Sequence, residues 1–386
     1  ALTTSIFSRT GNNLTLSGAG SSTGQIEFIP SSANSSRVVM LIDKDSRISL
    51  SNNDSGTSNT IFGKNAGDAL ASGGNYNVVI GEGAGGALTT GDTSVAVGFE
   101  ALLTEDTNIE NTAIGHQALK TQNGADGNTA VGFRAGLDLT TGGANTFVGA
   151  ETAANVTTGA DNVMMGKAAG VNTQTASGSV LIGRSAGRDI STGNENIAIG
   201  KEAMFDGTVT GDNNIAIGTN AADALTSGKN NVAIGKQAFT RAAAASEIIA
   251  IGNNAAGQNT VTADADGAVA IGYFALGDLS SGADNTGIGY QAGTAITTGA
   301  RNTFLGYQAG TQSGATALTG NDNICIGFQA GRLMEQGASS NILIGSYAGD
   351  GQTVGGQMVF IGYEAGTSTV TTDANGTVGI GYQTLA

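Results

Sequence analysis

The sequence predicts an all-β protein, a parallel β-solenoid (β-roll) of about 19 coils with a 17-residue period and a small β-rich N-terminal cap. Three observations predict it. A short apolar phrase with a Gly in a fixed place recurs nineteen times, as in NTAIGHQAL (111–119), NNVAIGKQA (230–238) and NTFLGYQAG (302–310). The closest copies, such as those marked by Gly98 and Gly115, set a spacing that no other pair undercuts. The residues just before each Gly alternate as β-branched strand formers do.

Composition bounds the alternatives. The 386 residues include 63 Gly, a single Pro (Pro30) and no Trp, and only 12% are charged. With 39% apolar residues, many β-branched, the chain is too hydrophobic for a disordered Gly-rich polymer. A net charge of −15 argues against a nucleic-acid partner, which would need a basic face. The lone Cys325 excludes an intrachain disulfide framework. No run approaches the roughly 18 apolar residues of a membrane span, and no basic-then-apolar leader opens the chain, so membrane insertion is not expected. A start at Ala1 rather than Met points to a processed form or a fragment.

The Gly markers run from Gly63 to Gly381. Of the eighteen intervals, twelve have the length of Gly98 to Gly115; three are longer by one, and the others by two, three and four. A unit that is lengthened but never shortened has a minimum set by one structural turn, the signature of coils stacked on identical neighbours. Helical repeats need units of roughly twice this length and a different apolar spacing.

Register by register, each coil can be assigned. Three residues before the marker every copy has Thr, Val or Ile, and one residue before it every copy is apolar. The position between them is also apolar or Gly throughout, so the strand has two apolar faces and should be covered on both. One face can fill the coil. For the other, the in-between row containing Ala113, Phe147, Leu181, Ala198, Phe304 and Phe360, the expectation is burial against another chain, making the repeat a self-associating rod.

Three residues after the marker, seventeen of nineteen copies have Ala, small enough for facing segments to approach closely. Turns such as LTTG (88–91, 139–142) and ITTG (296–299) follow. Four residues before the marker thirteen copies carry Asn, including Asn111, Asn128, Asn145 and Asn162. That column fits a hydrogen-bonded Asn ladder and equally a turn preference. The longest intervals should place their extra residues in outward loops within 255–267, 310–320 and 366–376. Residues 1–58 lack the phrase and read as short strands, NLTLSG, QIEFI, VVMLI and RISLS, forming a cap or adaptor, with 59–386 as the solenoid shaft. No such cap follows Gly381, so the chain is expected to stop inside a longer protein.

Catalytic chemistry is poorly provided for. Glu100, Glu151 and Glu202 share one register but lie three coils apart, roughly 14 Å at about 4.8 Å per coil, beyond the roughly 5–9.5 Å of glycosidase carboxylate pairs. His116, the only histidine, could form a metal site only if copies from several chains met, and its register elsewhere reads as an exposed face. Asp43 to Asp54 lacks the Gly and the bidentate Glu of a calcium loop, and TADADG (262–267) reads as a solvated acidic turn. No catalytic, cofactor or metal site is expected, and the chain is not read as an enzyme. Irregular Thr-Thr pairs make a poor ice-binding face.

One column stands out. Directly after the marker, middle coils carry Lys167, Arg184, Lys201 and Lys236, whereas the last seven carry Tyr273, Tyr290, Tyr307, Phe328, Ser346, Tyr363 and Tyr382. The aromatic members could grip the sugar rings of a receptor; the plainer reading is a ladder that stiffens the stack.

The phrases NTAIGHQAL, NNIAIGTNA, NVAIGKQAF and NTGIGYQAG resemble the head repeats of trimeric autotransporter adhesins, left-handed parallel β-roll trimers, whose units are shorter. With LTTG or TTG between phrases, the longer unit is similar to bacteriophage tail-fibre and related viral fibre repeats. The resemblance covers residues 59–386, and the adhesins' coiled-coil stalk and membrane-anchor barrel are not seen in the sequence. It implies an intertwined or side-by-side homotrimer: a structural shaft on a virion, presenting a host-attachment surface to a host glycan or protein receptor. The alternative is an extracellular or cell-surface adhesin filament, and a third reading is a polysaccharide-cleaving tailspike.

Overall fold

A computed structural model describes residues 58–107, 109–311, 317–334, 336–351, 355–368 and 375–386, together with the backbone of four short strands nearer the N-terminus. Those strands pair antiparallel in two hairpins, Ile6–Thr10 with Asn13–Ser17 and Leu41–Ile42 with Ile48–Ser49. Whether they cap the solenoid lies outside the described residues, as do the side chains of Asp43 to Asp54. The chain divides into two compact units, Ala1–Thr158 and Gly159–Ala386.

Each unit is built on parallel β-solenoid coils, nineteen strands in all. In the first unit six three-residue strands run from Thr60–Phe62 to Thr146–Val148. In the second, thirteen run from Val163–Met165 to Val378–Ile380. Within each unit every strand pairs in parallel and in register with the next, Thr112 opposite Thr129 and Ile197 opposite Ile215. Long intervals do not disturb this. Ile249 still faces Val269 and Thr303 still faces Ile324, because the extra residues are spent away from the strand. One such insertion contains a single 3-10 turn, Ala263–Ala265.

The marker Gly is fixed by two constraints at once. At Gly115 φ is 140°, a region closed to residues with a Cβ, and a Cβ built there would stand 2.2 Å from the carbonyl oxygen of Gly132 in the next coil. The chain turns sharply here so that backbone stacks directly on backbone. Corner residues of the same coil, Glu110, Gln117 and Leu119, also take left-handed φ values of 62°, 58° and 48°.

The two apolar faces of the strand are real, but their assignment from sequence was inverted. Ala113, Phe147, Leu181, Ala198, Phe304 and Phe360, expected at an interface between chains, are completely buried inside their own chain. The flanking rows, three and one before the marker, point outward: Ile114 is 39% exposed and Leu305 42%. The physical reason is the turn at the marker Gly, which folds the next segment back over the middle residue. Ala118, three after Gly115, and Leu119, four after it, are therefore also fully buried.

This narrow core is filled by reciprocity of size. Where the middle strand residue is large, the residue four after the marker is small. Phe304 has Gly310, whose added Cβ would fall 2.0 Å from the Phe304 ring; Phe360 has Gly366, and Leu343 has Gly349. Where the middle residue is Ala, the other is usually large: Ala113 has Leu119, Ala198 has Met204 and Ala233 has Phe239, all buried. A coil with two small residues borrows from its neighbours, as Gly287 and Gly293 lie against Leu276, with Phe304 also against Gly293. Row by row the sequence varies, and volume lost at one position is mostly made up by a neighbour.

The Asn column is a ladder inside the coils. Asn128 N donates to Asn111 Oδ1 (2.9 Å), Asn145 N and Nδ2 donate to Asn128 Oδ1 (2.9 and 3.1 Å), and all three residues are buried. In the second unit Asn162 donates to Ala176 O and accepts from Ser179 N, both at 2.9 Å. Each amide thus ties its own coil to the next while closing its own turn.

Candidate binding surface

The column directly after the marker faces solvent along one side of each unit. It is positioned by the marker Gly, whose positive φ lifts the following residue out of the core. In the second unit Tyr273, Tyr290, Tyr307 and Phe328 form a continuous stack. Ring centroids lie 5.1, 5.0 and 5.2 Å apart and interplanar angles are 11°, 7° and 8°. The spacing is that of the strands beneath, about 4.8 Å, so the ladder is templated by the backbone. Each of these residues is 41–44% exposed.

That geometry limits what the column can do. Tyr290 and Tyr307 are covered by a parallel ring on both faces, so they present edges and phenol hydroxyls rather than ring faces. Tyr273 is met at 4.5 Å by the tilted ring of Phe274. Beside the stack runs a second ladder, in which Gln329 donates to Gln308 and Gln308 to Gln291, both at 2.8 Å.

Both ladders break at the same coil. Ser346 stands where a ring is due, and the aromatic residue is displaced by one position to Tyr347. Its ring turns edge-on to Phe328 (5.3 Å, 72°) and to Tyr363 (6.2 Å, 85°). Stacking resumes from Tyr363 to Tyr382 at 5.4 Å and 11°. Glu364 raises the Tyr363 phenol above its ordinary value through a hydrogen bond, while Gln383 and then Tyr363 hold the Glu364 carboxyl low. The displacement was readable as GSYAGD against GYQAG, but only ring orientations show what it does.

In the first unit the same column contains a shorter stack. His116 lies between Phe99 (5.0 Å) and Phe133 (5.3 Å), each at 28°. Its ring is therefore engaged with two aromatic neighbours. Two glutamates of the next register are ion-paired: Glu100 with Lys120 at 2.7 Å, and Glu202 with Arg184 and with Lys201. Lys120 and then Gln117 hold the Glu100 carboxyl below the usual carboxylate range. Cys325 is buried in the core, where desolvation pushes its thiol far up and removes it from thiolate chemistry.

Among the described residues no group of three or more His, Cys, Asp or Glu is placed to hold a metal ion, and no helix is long and apolar enough to cross a membrane. No family model, curated protein or solved structure matches the chain, so its function is read from the geometry of the coils.

Proposed function

We propose that the chain is a structural fibre protein, the shaft of a homotrimer of the bacteriophage tail-fibre kind, borne on a virion and presenting a surface for host attachment. The observation that carries this reading is the outward stripe. In all nineteen coils the two outward strand positions are Thr, Val, Ile or another apolar residue, and none is charged. The stripe repeats in each of the thirteen coils of the second unit, a continuous outward apolar row of the kind that marks an interaction surface.

A stripe running along a stack of identical coils is self-complementary in period, so a second copy is the natural cover. Three copies around a common axis bury all three stripes together, as the resemblance to fibre repeats implies. Sedimentation equilibrium should give three times the mass of the 38.0 kDa chain. A mass of only two chains would remove the three-fold arrangement, and a stable folded monomer would overturn the reading.

The same shaft would serve a cell-surface adhesin filament. Immunogold labelling separates the two, on particles for a tail fibre and on cells for an adhesin. The reading is non-enzymatic, and measurable cleavage of bacterial capsular polysaccharide by the purified protein would refute that part.

A further inference from the structure

The interruption of the aromatic ladder at Ser346 is where this surface can offer ring faces rather than ring edges. We infer that the gap between Phe328 and Tyr363 is a slot for one neutral pyranose ring, closed by the Tyr347 side chain. The inference rests on the fibre reading for its biological setting, since it names the class of receptor group the shaft would hold.

Geometry comes first. Phe328 and Tyr363 occupy the same column two coils apart, so their planes are separated by about two strand spacings, ~10 Å. A ring centred between them has about 5 Å on each side, the separation measured between the stacked rings (5.0–5.4 Å). Between Tyr273 and Tyr307 that place is taken by the parallel ring of Tyr290. Here the backbone supplies only Ser346, and Tyr347 reaches in from the neighbouring register.

Tyr347 fills the place in a different way from its neighbours. Its plane stands at 72° to that of Phe328 and at 85° to that of Tyr363, with ring centroids 5.3 and 6.2 Å away. Neither ring is covered in parallel on that side, and rotation about the Tyr347 side-chain bonds would leave the space between them open. No backbone movement is needed, because Tyr347 N stays bonded to Phe328 O (2.9 Å) and Glu364 N to Ser346 O (2.9 Å).

The chemistry around the gap selects a sugar over a flat aromatic molecule. A pyranose has two C–H faces for the ring faces and an equatorial rim of hydroxyls that needs polar partners. Such partners are at hand: Ser346 in the column, Glu364 beside Tyr363, and Arg332 held by Asp350 at 2.9 Å, with the guanidinium close enough to act electrostatically on Tyr347. The rim carries both signs of charge, and the ring it suits is neutral.

The test uses the full chain and immobilised glucosides, galactosides and N-acetylglucosaminides, with a flat aromatic dye as comparison. Y347Q restores the Gln of neighbouring coils and removes the plug, so it should bind at least one of these pyranosides roughly tenfold more tightly than the unaltered chain, as expected for two edge-to-face contacts no longer to be displaced. F328A and Y363A should lose that binding. Y290S, which opens an equivalent gap between Tyr273 and Tyr307, should gain it. Melting temperature and sedimentation of each variant report folding separately. Equal binding by Y347Q and the unaltered chain overturns the slot, as does binding that survives F328A or selection of the dye alone. Those results would leave a trimeric, cell-attaching shaft standing, whereas a monomeric Y347Q chain that still takes a pyranoside would sink the fibre reading and keep the slot.

Discussion

Asn231 uses its whole amide. Nδ2 donates to Asn214 Oδ1 and to Ala245 O, both at 2.9 Å, and Oδ1 accepts from Ile248 N at 3.0 Å. With the residue 1% exposed, water cannot replace any of these bonds, so Asn231→Ala should cost about 2–4 kcal/mol through the groups it strands. Asn231→Ser should cost less, because Ser94 and Ser179 already fill this register and their hydroxyls accept from Asn111 N and Asn196 N at 3.3 Å. Thermal unfolding of the two variants checks the order, and equal losses would mean that the amide acts only within its own turn. The column itself was legible from sequence, since thirteen Asn at one register cannot be accidental. What could not be read was the direction of the side chains, because a turn preference and a ladder ask for the same residue.

At the scale of the coil, period, strand position and parallel stacking were all legible, because each depends on backbone repeat and β-branching alone. The inside and outside of the strand were not. Ala113 and Phe147 share a row, and because both faces of the strand are apolar, the sequence alone let that row be assigned to a partner chain. In the fold its variation reflects pairing with a second row, six residues further along, that in most coils compensates a change in volume, with neighbouring coils filling in where both residues are small. The pairing makes a prediction in which two harmful changes repair one another. Ala233→Phe should overpack its coil by about 1–3 kcal/mol or more, and Phe239→Gly should open a cavity costing about 3–5 kcal/mol. Together they recreate the arrangement of Phe304 with Gly310, at a position where Phe239 already takes a left-handed φ of 54° that suits Gly. Melting temperatures should show the double variant more stable than either single one, a coupling that only contacting residues give. Additive losses would show that the two rows do not compensate.

For the whole molecule the decisive contrast is between the row that points in and the rows that point out. The sequence has apolar residues in both, which raised the expectation of a cover beyond one coil; the fold shows which row is left outside. Ile199, Ile217 and Ile234 follow one another in the outward stripe of the second unit, paired strand to strand, while Ala198 lies between two outward residues and is fully buried. Changing the three isoleucines to Lys places long, flexible cations on a surface that a free chain would leave in water, so the single-chain fold should keep its β-type circular dichroism. In an assembly the same cations would be stripped of water at an apolar seam, at a cost of several kcal/mol for each unpaired charge. The expected result is loss of the trimer with retention of secondary structure. Ala198→Asp should do the reverse in kind, since its charge enters the core of the coil itself and unfolds it locally whatever the state of assembly. If the triple Lys variant sediments with unchanged mass, the stripe is not the seam, and the self-association on which the shaft reading stands must be sought on another face.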